Sequence, residues 1–272
     1  MSFHFIKYHD CQDQEEGFLK TLTGYVVQYC FSRTRYNDNS VPDIQRLFLE
    51  GRDKFFKPSD TNGHPNTSKT GELGEIALYF LLESYLKAPQ IVSKMSLKTT
   101  GQKNIHGSDG IHFGIHNGKK CLFFCESKLD KDRSDAFRLC KKSVVEFYQS
   151  KRDFEISIIR NHIDIEDPKL RQAIIDFIDP TKEKKDDWLE INACFVGYDW
   201  NKFVEIECEK NNFKLHAKLK EYLSTEVNDI KKYLQERITF PEMPQRFYFF
   251  IIPFKDVTKL RETFLEMLYG NK

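Results

Sequence analysis

The pattern of apolar residues in the middle of the chain predicts a group of β-strands around one hairpin. Asn117-Gly118 is a strong signal for a tight turn, and strand-like residues lie on both sides of it. The run Cys121–Cys125 is wholly apolar, as expected of a strand that is buried on both faces. The predicted strands are Gln90–Leu97, Ser108–His116, Lys120–Lys128, and either Ile191–Tyr198 or Arg246–Pro253.

Apolar residues spaced three and four apart predict helices before and after these strands. The predicted helices are Gly71–Leu86, Arg133–Arg152, Asp164–Ile178, Phe213–Arg237 and Lys255–Tyr269. Upstream, the same spacing predicts a helical layer over residues 1–60. Residues 70–272 are expected to form the core, either as one continuous domain with that layer or apart from it. We therefore expect an α/β fold (α+β in character) with a mixed sheet.

Three charged residues gather at the end of the hairpin that lies far from the turn. Side chains alternate along a strand, so Glu126 and Lys128 share one face, and hairpin pairing brings Asp109 close to Glu126. A lone triplet of this kind is commonly a solvated strand end. Here the charges follow a buried strand, where they are costly unless they are paired or coordinated. Two carboxylates beside a lysine suit a hard divalent metal and a phosphodiester, which favours a metal-dependent nuclease.

A second pair of carboxylates stands at the start of the predicted helix Gly71–Leu86. Glu72 and Glu75 are three residues apart, so both can lie on one helix face. Gly71 and Gly74 have no side chains, which lets a strand or a substrate backbone approach the helix start closely. We expect Glu75, with Glu72 as the second choice, to complete the metal shell. The alternative is that both carboxylates only stabilise the positive end of the helix dipole.

Basic residues are concentrated near this site rather than spread over the chain. The 272 residues carry a formal net charge of +1, so no general basic field indicates a stand-alone DNA-binding protein. Basic residues on both sides of the hairpin are expected to meet DNA phosphates. The alternative is a solvated surface that acidic neighbours balance. The candidate DNA contacts are Lys94, Lys98, Lys103, His106, Lys131 and Arg133.

The histidines and cysteines argue against several other classes of site. His106, His112 and His116 lie near the proposed site, but their spacing offers no fourth ligand for a zinc or HNH-type centre. Seven cysteines at irregular spacing do not form a disulfide framework in a chain of this length. No apolar run follows a basic N-terminal stretch, and none reaches the ~18 residues of a membrane helix. We expect a reduced, cytoplasmic protein with no membrane partner.

The order of the elements carries a resemblance to known nucleases. A helix, three strands, a helix and a further strand, with Asp109 on the second strand and Glu126-x-Lys128 on the third, resemble the core of the PD-(D/E)xK nuclease superfamily. Ser108 stands where that superfamily often has proline. The blocks GELGE at 71–75, SLKTTGQKNIHGSDGIHF at 96–113 and LFFCESKL at 122–129 resemble the HamA family, the nuclease subunits of the Hachiman antiphage defence system.

This resemblance implies a PD-(D/E)xK restriction-endonuclease-like core with helical N- and C-terminal additions, acting on DNA. Asp109 and Glu126, completed by Glu75, are expected to hold Mg²⁺ or Mn²⁺, and the backbone carbonyl of Ser127 adds a ligand as in the superfamily. Lys128 is expected to orient the attacking water. Family membership further implies a deoxyribonuclease that a helicase subunit, HamB, holds inactive until aberrant DNA is sensed. The alternatives are a restriction or junction-resolving nuclease with the same core, and a catalytically inactive interaction subunit.

Overall fold

The computed structural model describes residues 1–37, 40–55, 71–97, 107–183, 186–238 and 244–270. Its strands are β1 (Ser2–Phe3), β2 (Tyr8–His9), β3 (Gln12–Asp13), β4 (Gln90–Val92), β5 (Ile111–His116), β6 (Lys119–Asp130), β7 (Trp188–Asp199) and β8 (Phe247–Phe254). Its first six helices are α1 (Glu15–Gly24), α2 (Val26–Cys30), α3 (Arg33–Tyr36), α4 (Val41–Lys54), α5 (Glu72–Ser84) and α6 (Lys94–Leu97). The later helices are α7 (Arg133–Glu146), α8 (Arg152–His162), α9 (Pro168–Ile178), α10 (Lys202–Glu207), α11 (Asn212–Arg237) and α12 (Val257–Tyr269). A π-helical segment, Phe147–Lys151, joins α7 to α8.

Six strands form one mixed sheet in the order β1-β8-β7-β6-β5-β4. The pairs β1–β8, β7–β8 and β6–β7 are parallel, whereas β5 is antiparallel to both β6 and β4. Helices separate the parallel strands along the chain, as parallel connections require. The predicted α/β class with a mixed sheet is therefore confirmed. Both candidates for the fourth strand are in the sheet, as β7 and β8.

The hairpin forms at the predicted turn. Asn117 and Gly118 both have positive φ, 50° and 74°, which is the backbone of the tight turns that asparagine and glycine favour. From there the register runs from His116 opposite Lys119 to Ile111 opposite Phe124. The residues just before β5 therefore lie beside the residues that follow Phe124 on β6.

Several element boundaries differ from the prediction. The strand predicted over Ser108–His116 begins at Ile111, so Asp109 precedes this strand instead of opening it. The strand predicted over Gln90–Leu97 ends at Val92, and α6 follows, so the second half of that prediction is wrong. The helical turn puts Met95 into the core and Lys94 against a buried carboxylate, which an extended strand on the sheet surface would not do. The helix predicted over Arg133–Arg152 continues through the π-helical segment to the end of α8.

The two faces of β6 build separate parts of the core. Cys121, Phe123 and Cys125 pack with α5, α12 and the N-terminal helices, and Leu122 and Phe124 pack with α8 and α9 on the other face. Helices α1, α2 and α4 thus share one core with the sheet. The predicted division of the chain into residues 1–60 and 70–272 stays a prediction. No helix in the described part of the chain has the length and apolarity that crossing a bilayer requires.

Candidate active site

Glu126 and Lys128 lie on one face near the end of β6, where strand alternation predicts them. The Lys128 Nζ donates a hydrogen bond to Oε1 of Glu126. It also donates to the carbonyl oxygen of Ser127 at 3.2 Å. The side chain of Glu126 is 13% exposed and that of Lys128 is 27% exposed, so the pair is largely withdrawn from water. The lysine is thus held at a carboxylate and at a backbone oxygen that is itself a candidate metal ligand.

Asp109 lies beside this pair, in the segment that leads into β5. Its backbone N–H donates to the carbonyl of Cys125 at 2.7 Å, and the Cys125 N–H donates to the carbonyl of Gly110 at 3.0 Å. The Asp109 carboxylate accepts hydrogen bonds from the backbone N–H of Ser127 at 2.7 Å and from its hydroxyl at 2.8 Å. The structure therefore brings Asp109, Ser127 and Glu126 together, as the hairpin register predicts.

Burial and neighbouring charge raise the pKa of Glu126. Desolvation is the main cause, the charge of Asp109 adds to it, and Lys128 opposes both, so that the pKa of Glu126 rises to about 7. Burial alone would lower the pKa of Lys128, but Glu126 and Asp109 raise it and the net shift is upward. The cluster therefore holds two carboxylates whose joint ionisation is costly, and Lys128 offsets this cost only in part.

Replacing Glu126 with glutamine is expected to stabilise the metal-free protein at alkaline pH. Because the pKa of Glu126 is higher in the folded chain than its usual 4.5, the native state loses stability as pH rises from about 4.5 to about 7. Above that range the penalty is complete, on the order of 3 kcal/mol for a shift of this size. Thermal unfolding in EDTA should show Glu126→Gln more stable than the wild type at pH 8 and nearly equal to it at pH 4.5.

The matched control for this measurement is Glu146→Gln. Glu146 lies on α7, and its side chain is 44% exposed in an ion pair with Lys142. An exposed pair contributes little at any pH, so this variant should follow the wild-type stability across the range. The same pH dependence of thermal stability in Glu126→Gln and Glu146→Gln would contradict the claim that Glu126 and Asp109 destabilise the metal-free protein when both are ionised.

The two glutamates at the start of α5 have different surroundings. Glu75 accepts a hydrogen bond from the hydroxyl of Tyr29 at 2.7 Å. Burial raises the pKa of Tyr29 well above its usual value, with contributions from Glu75 and, more weakly, from Asp109, so this pair lies within electrostatic reach of Asp109. Glu72 is buried and, after burial itself, is the main cause of the raised pKa of Tyr269 on α12. Of the two, Glu75 is the one whose hydrogen-bond partner, Tyr29, is influenced by the charge of Asp109.

The start of α5 is in direct contact with the end of β6. A Cβ atom at Gly74 would lie 3.1 Å from the hydroxyl oxygen of Ser127 and 3.0 Å from a methyl group of Leu129. The close approach of a strand is therefore confirmed at Gly74, whereas the contact given for a Cβ atom at Gly71 is Glu75 of the same helix, at 3.5 Å. The helix N-cap is Gly71, which has no side chain, and no side-chain hydrogen bond caps α5.

The candidate DNA contacts fall into three groups. Lys98, Lys103 and His106 lie outside the described residues. Lys131 is exposed just after β6, and Arg133 is bound to Glu226 at 2.5 Å. Lys94, by contrast, is 6% exposed and bonded to Glu155, so in this conformation it does not reach a phosphate, and we remove it from the proposed contacts.

The remaining histidines are structural. His112 is buried, its Nδ1 lies 2.8 Å from the carbonyl oxygen of Ala88, and burial lowers its pKa to about 4. His116 packs edge-on against Tyr248 at the far end of the hairpin. Within the described ranges, no three His, Cys, Asp or Glu side chains form a ready metal cage. A metal in this site would therefore depend on two carboxylates, a backbone oxygen and water.

Sequence reasoning missed three residues that contact this site. The Ser127 side chain, Tyr29 and Ser108 each bind a predicted site residue or its immediate neighbour. Only Ser127 carries a usable signal, since it lies between Glu126 and Lys128. In the sequence, Tyr29 occupies one apolar position of a predicted amphipathic helix, and its spacing from the other apolar residues does not indicate a carboxylate partner.

A comparison with protein-family models matches residues 1–268 to the HamA model. The chain belongs to the HamA family. HamA membership associates it with Hachiman antiphage defence. The match covers the N-terminal helices and the C-terminal strands as well as the three blocks around the site. A search of curated proteins found no match.

Proposed function

We propose that this HamA-family chain is a metal-dependent deoxyribonuclease with a PD-(D/E)xK-like core. The observation that carries the proposal is the convergence of Asp109 and Glu126 at the end of a buried strand, with Lys128 bonded to Glu126. Two carboxylates packed together, whose repulsion Lys128 offsets only in part, weaken the fold unless a further cation binds between them. A divalent metal is the cation that such a site accepts, and phosphodiester hydrolysis is the chemistry that it supports.

The donor set fits Mg²⁺ or Mn²⁺. Mg²⁺ prefers oxygen ligands, keeps several waters, and is usually bound through one or two carboxylates together with substrate phosphates. Asp109 and Glu126 would supply the carboxylates and Ser127 the carbonyl oxygen, so the lack of a closed cage among the described residues suits this metal. When bound, the metal polarises a phosphoryl oxygen and lowers the pKa of its water.

The remaining roles follow from the contacts of each side chain. Ser127 orients the Asp109 carboxylate through its N–H and its hydroxyl, which leaves the second carboxylate oxygen for a metal. Lys128 carries its proton, because both neighbouring carboxylates raise its pKa. A protonated lysine here would orient the attacking water and stabilise the charge that develops on the phosphate.

Glu75 is proposed to hold a water in the metal shell, with Tyr29 fixing its orientation. Glu75→Gln should therefore cost more activity than Glu72→Gln, on the order of tenfold, as for other residues that orient a metal's ligands. The Mg²⁺ concentration for half-maximal cleavage should rise in Glu75→Gln, while the affinity for DNA stays unchanged. Equal, small losses of activity in the two variants would indicate that both carboxylates only stabilise the N-terminus of α5.

DNA and a helicase subunit, HamB, are the proposed partners. The net charge of +1 gives the chain little general attraction to DNA, so a partner that moves on DNA is a physically sensible means of delivery. Lys131 is the exposed candidate contact beside the site, and Lys98, Lys103 and His106 stay candidates.

Incubating plasmid DNA and Mg²⁺ with the purified chain, alone and with its genomic neighbour, tests the proposal. Sequence-specific cutting by the chain alone would favour a restriction enzyme instead.

A further inference from the structure

A buried ion pair lies directly behind the proposed metal site. The Nζ of Lys94 lies 2.6 Å from Oε1 and 2.7 Å from Oε2 of Glu155. The lysine side chain is 7% exposed and the glutamate side chain is fully buried. The two residues come from α6 and α8, so the pair joins two segments that are distant in sequence.

The ion pair is bonded to the residue that precedes Asp109. The Lys94 Nζ donates to the carbonyl of Ser108 at 2.5 Å, and the Ser108 hydroxyl lies 2.5 Å from Oε1 of Glu155. The same hydroxyl lies 3.1 Å from the carbonyl oxygen of Gly110. Both partners of the ion pair therefore hold the backbone turn on which Asp109 lies.

Gly107 shows how closely this turn fits against the charges. Its φ is +127°, and a Cβ atom there would lie 2.1 Å from Oε2 of Glu155 and 2.8 Å from Nζ of Lys94. On the other side, Asp109 is bonded through its backbone to Cys125 of the sheet. The turn is thus fixed between a buried ion pair and a strand.

Stability alone does not explain a charged pair at this place. Removing two charges from water is expensive, and well-packed apolar residues of similar volume often give an equal or more stable protein. A charged pair does offer fixed donors and acceptors, which can hold one backbone conformation. Here the conformation that it holds is that of Ser108, next to Asp109.

We infer that Lys94 and Glu155 are positioning residues, which fix the Gly107–Gly110 turn so that the Asp109 carboxylate faces the metal beside Glu126. The inference rests on the proposed function of Asp109 as a metal ligand. The pair does not touch the metal or the DNA; it acts through Ser108. Residues that orient metal ligands in this way commonly change metal affinity by about 10- to 100-fold when they are replaced.

The test is the double variant Lys94→Met/Glu155→Leu, which replaces the ion pair with apolar side chains. Mn²⁺ binding to the full chain is measured by titration calorimetry, and folding is followed by thermal unfolding. We expect a melting temperature near that of the wild type and a Kd for Mn²⁺ raised at least about tenfold. Ser108→Ala, which removes only one hydroxyl and is expected to fold, should also raise this Kd.

The matched control is Arg152→Met/Glu190→Leu. That ion pair is also largely buried, with an N–O distance of 2.6 Å, but Glu190 is opposite Leu122, well before Glu126 on β6. Its loss should leave the Kd for Mn²⁺ unchanged. A wild-type Kd for Mn²⁺ in both Lys94→Met/Glu155→Leu and Ser108→Ala would overturn this inference but leave the proposed function standing. A wild-type chain that binds no Mn²⁺ would overturn the proposed function, and this inference with it.

Discussion

Replacing Glu126 and Lys128 together with alanine is expected to abolish DNA cleavage, with a loss of at least about 10³-fold, while the protein stays folded. Both side chains are at the end of a strand and are bonded chiefly to each other, so neither fills the apolar core. Removing Glu126 also removes a carboxylate that Asp109 repels. Plasmid degradation in Mg²⁺ and thermal unfolding, measured on the same preparations, separate the two effects.

The matched control for this variant is Lys119→Ala/Lys120→Ala. Both lysines are exposed at the other end of β6, next to the hairpin turn. Their loss should leave cleavage at the wild-type level. Mg²⁺-dependent cleavage by the Glu126→Ala/Lys128→Ala variant would contradict the assignment of the site.

Cleavage by the complex with the helicase is expected to depend on ATP. If the partner holds the nuclease inactive, the purified complex should not cut DNA without ATP, and should cut it at least about tenfold faster once the helicase moves on DNA. The physical basis is the weak general attraction of this chain to DNA, which leaves delivery to the partner. The measurement is copurification followed by a nuclease assay with ATP, without ATP, and with an analogue that is not hydrolysed.

Two results would separate the nuclease from its proposed partner. A chain that never copurifies with the helicase, yet cuts DNA freely, would remove the partner and leave the nuclease assignment standing. A complex that cuts equally with and without ATP would contradict the inhibition while leaving the association intact.

Local signals were sufficient for the centre of the fold. The Asn117-Gly118 turn sets the register of the hairpin, and that register brings the residues before β5 beside those that follow Phe124 on β6. Alternation along β6 places Glu126 and Lys128 on one face because the period of a strand is two. These features depend on residues close in sequence, which is why the pattern of the chain predicts them.

Contacts between distant segments could not be predicted in the same way. β1 has two residues, too few to show a period, and its pairing with β8 depends on the completed sheet. Lys94 looks like a surface lysine until the turn of α6 and the face of α8 bring it to Glu155. The hydrogen bond from Tyr29 to Glu75 likewise joins two helices whose relative position only the tertiary structure sets.

Plasmid cleavage in EDTA, and again after Mg²⁺ is restored, tests the metal-dependent site most directly. The wild-type chain and Asp109→Asn are each assayed alone and then with the helicase and ATP. The variant is also the control for a contaminating nuclease, which would cut DNA in both preparations. We expect no cleavage by either protein in EDTA, and cleavage by the wild type only when Mg²⁺ is restored. Wild-type cleavage that persists in EDTA, equal cleavage by Asp109→Asn, or no wild-type cleavage in Mg²⁺ under either condition would contradict the account.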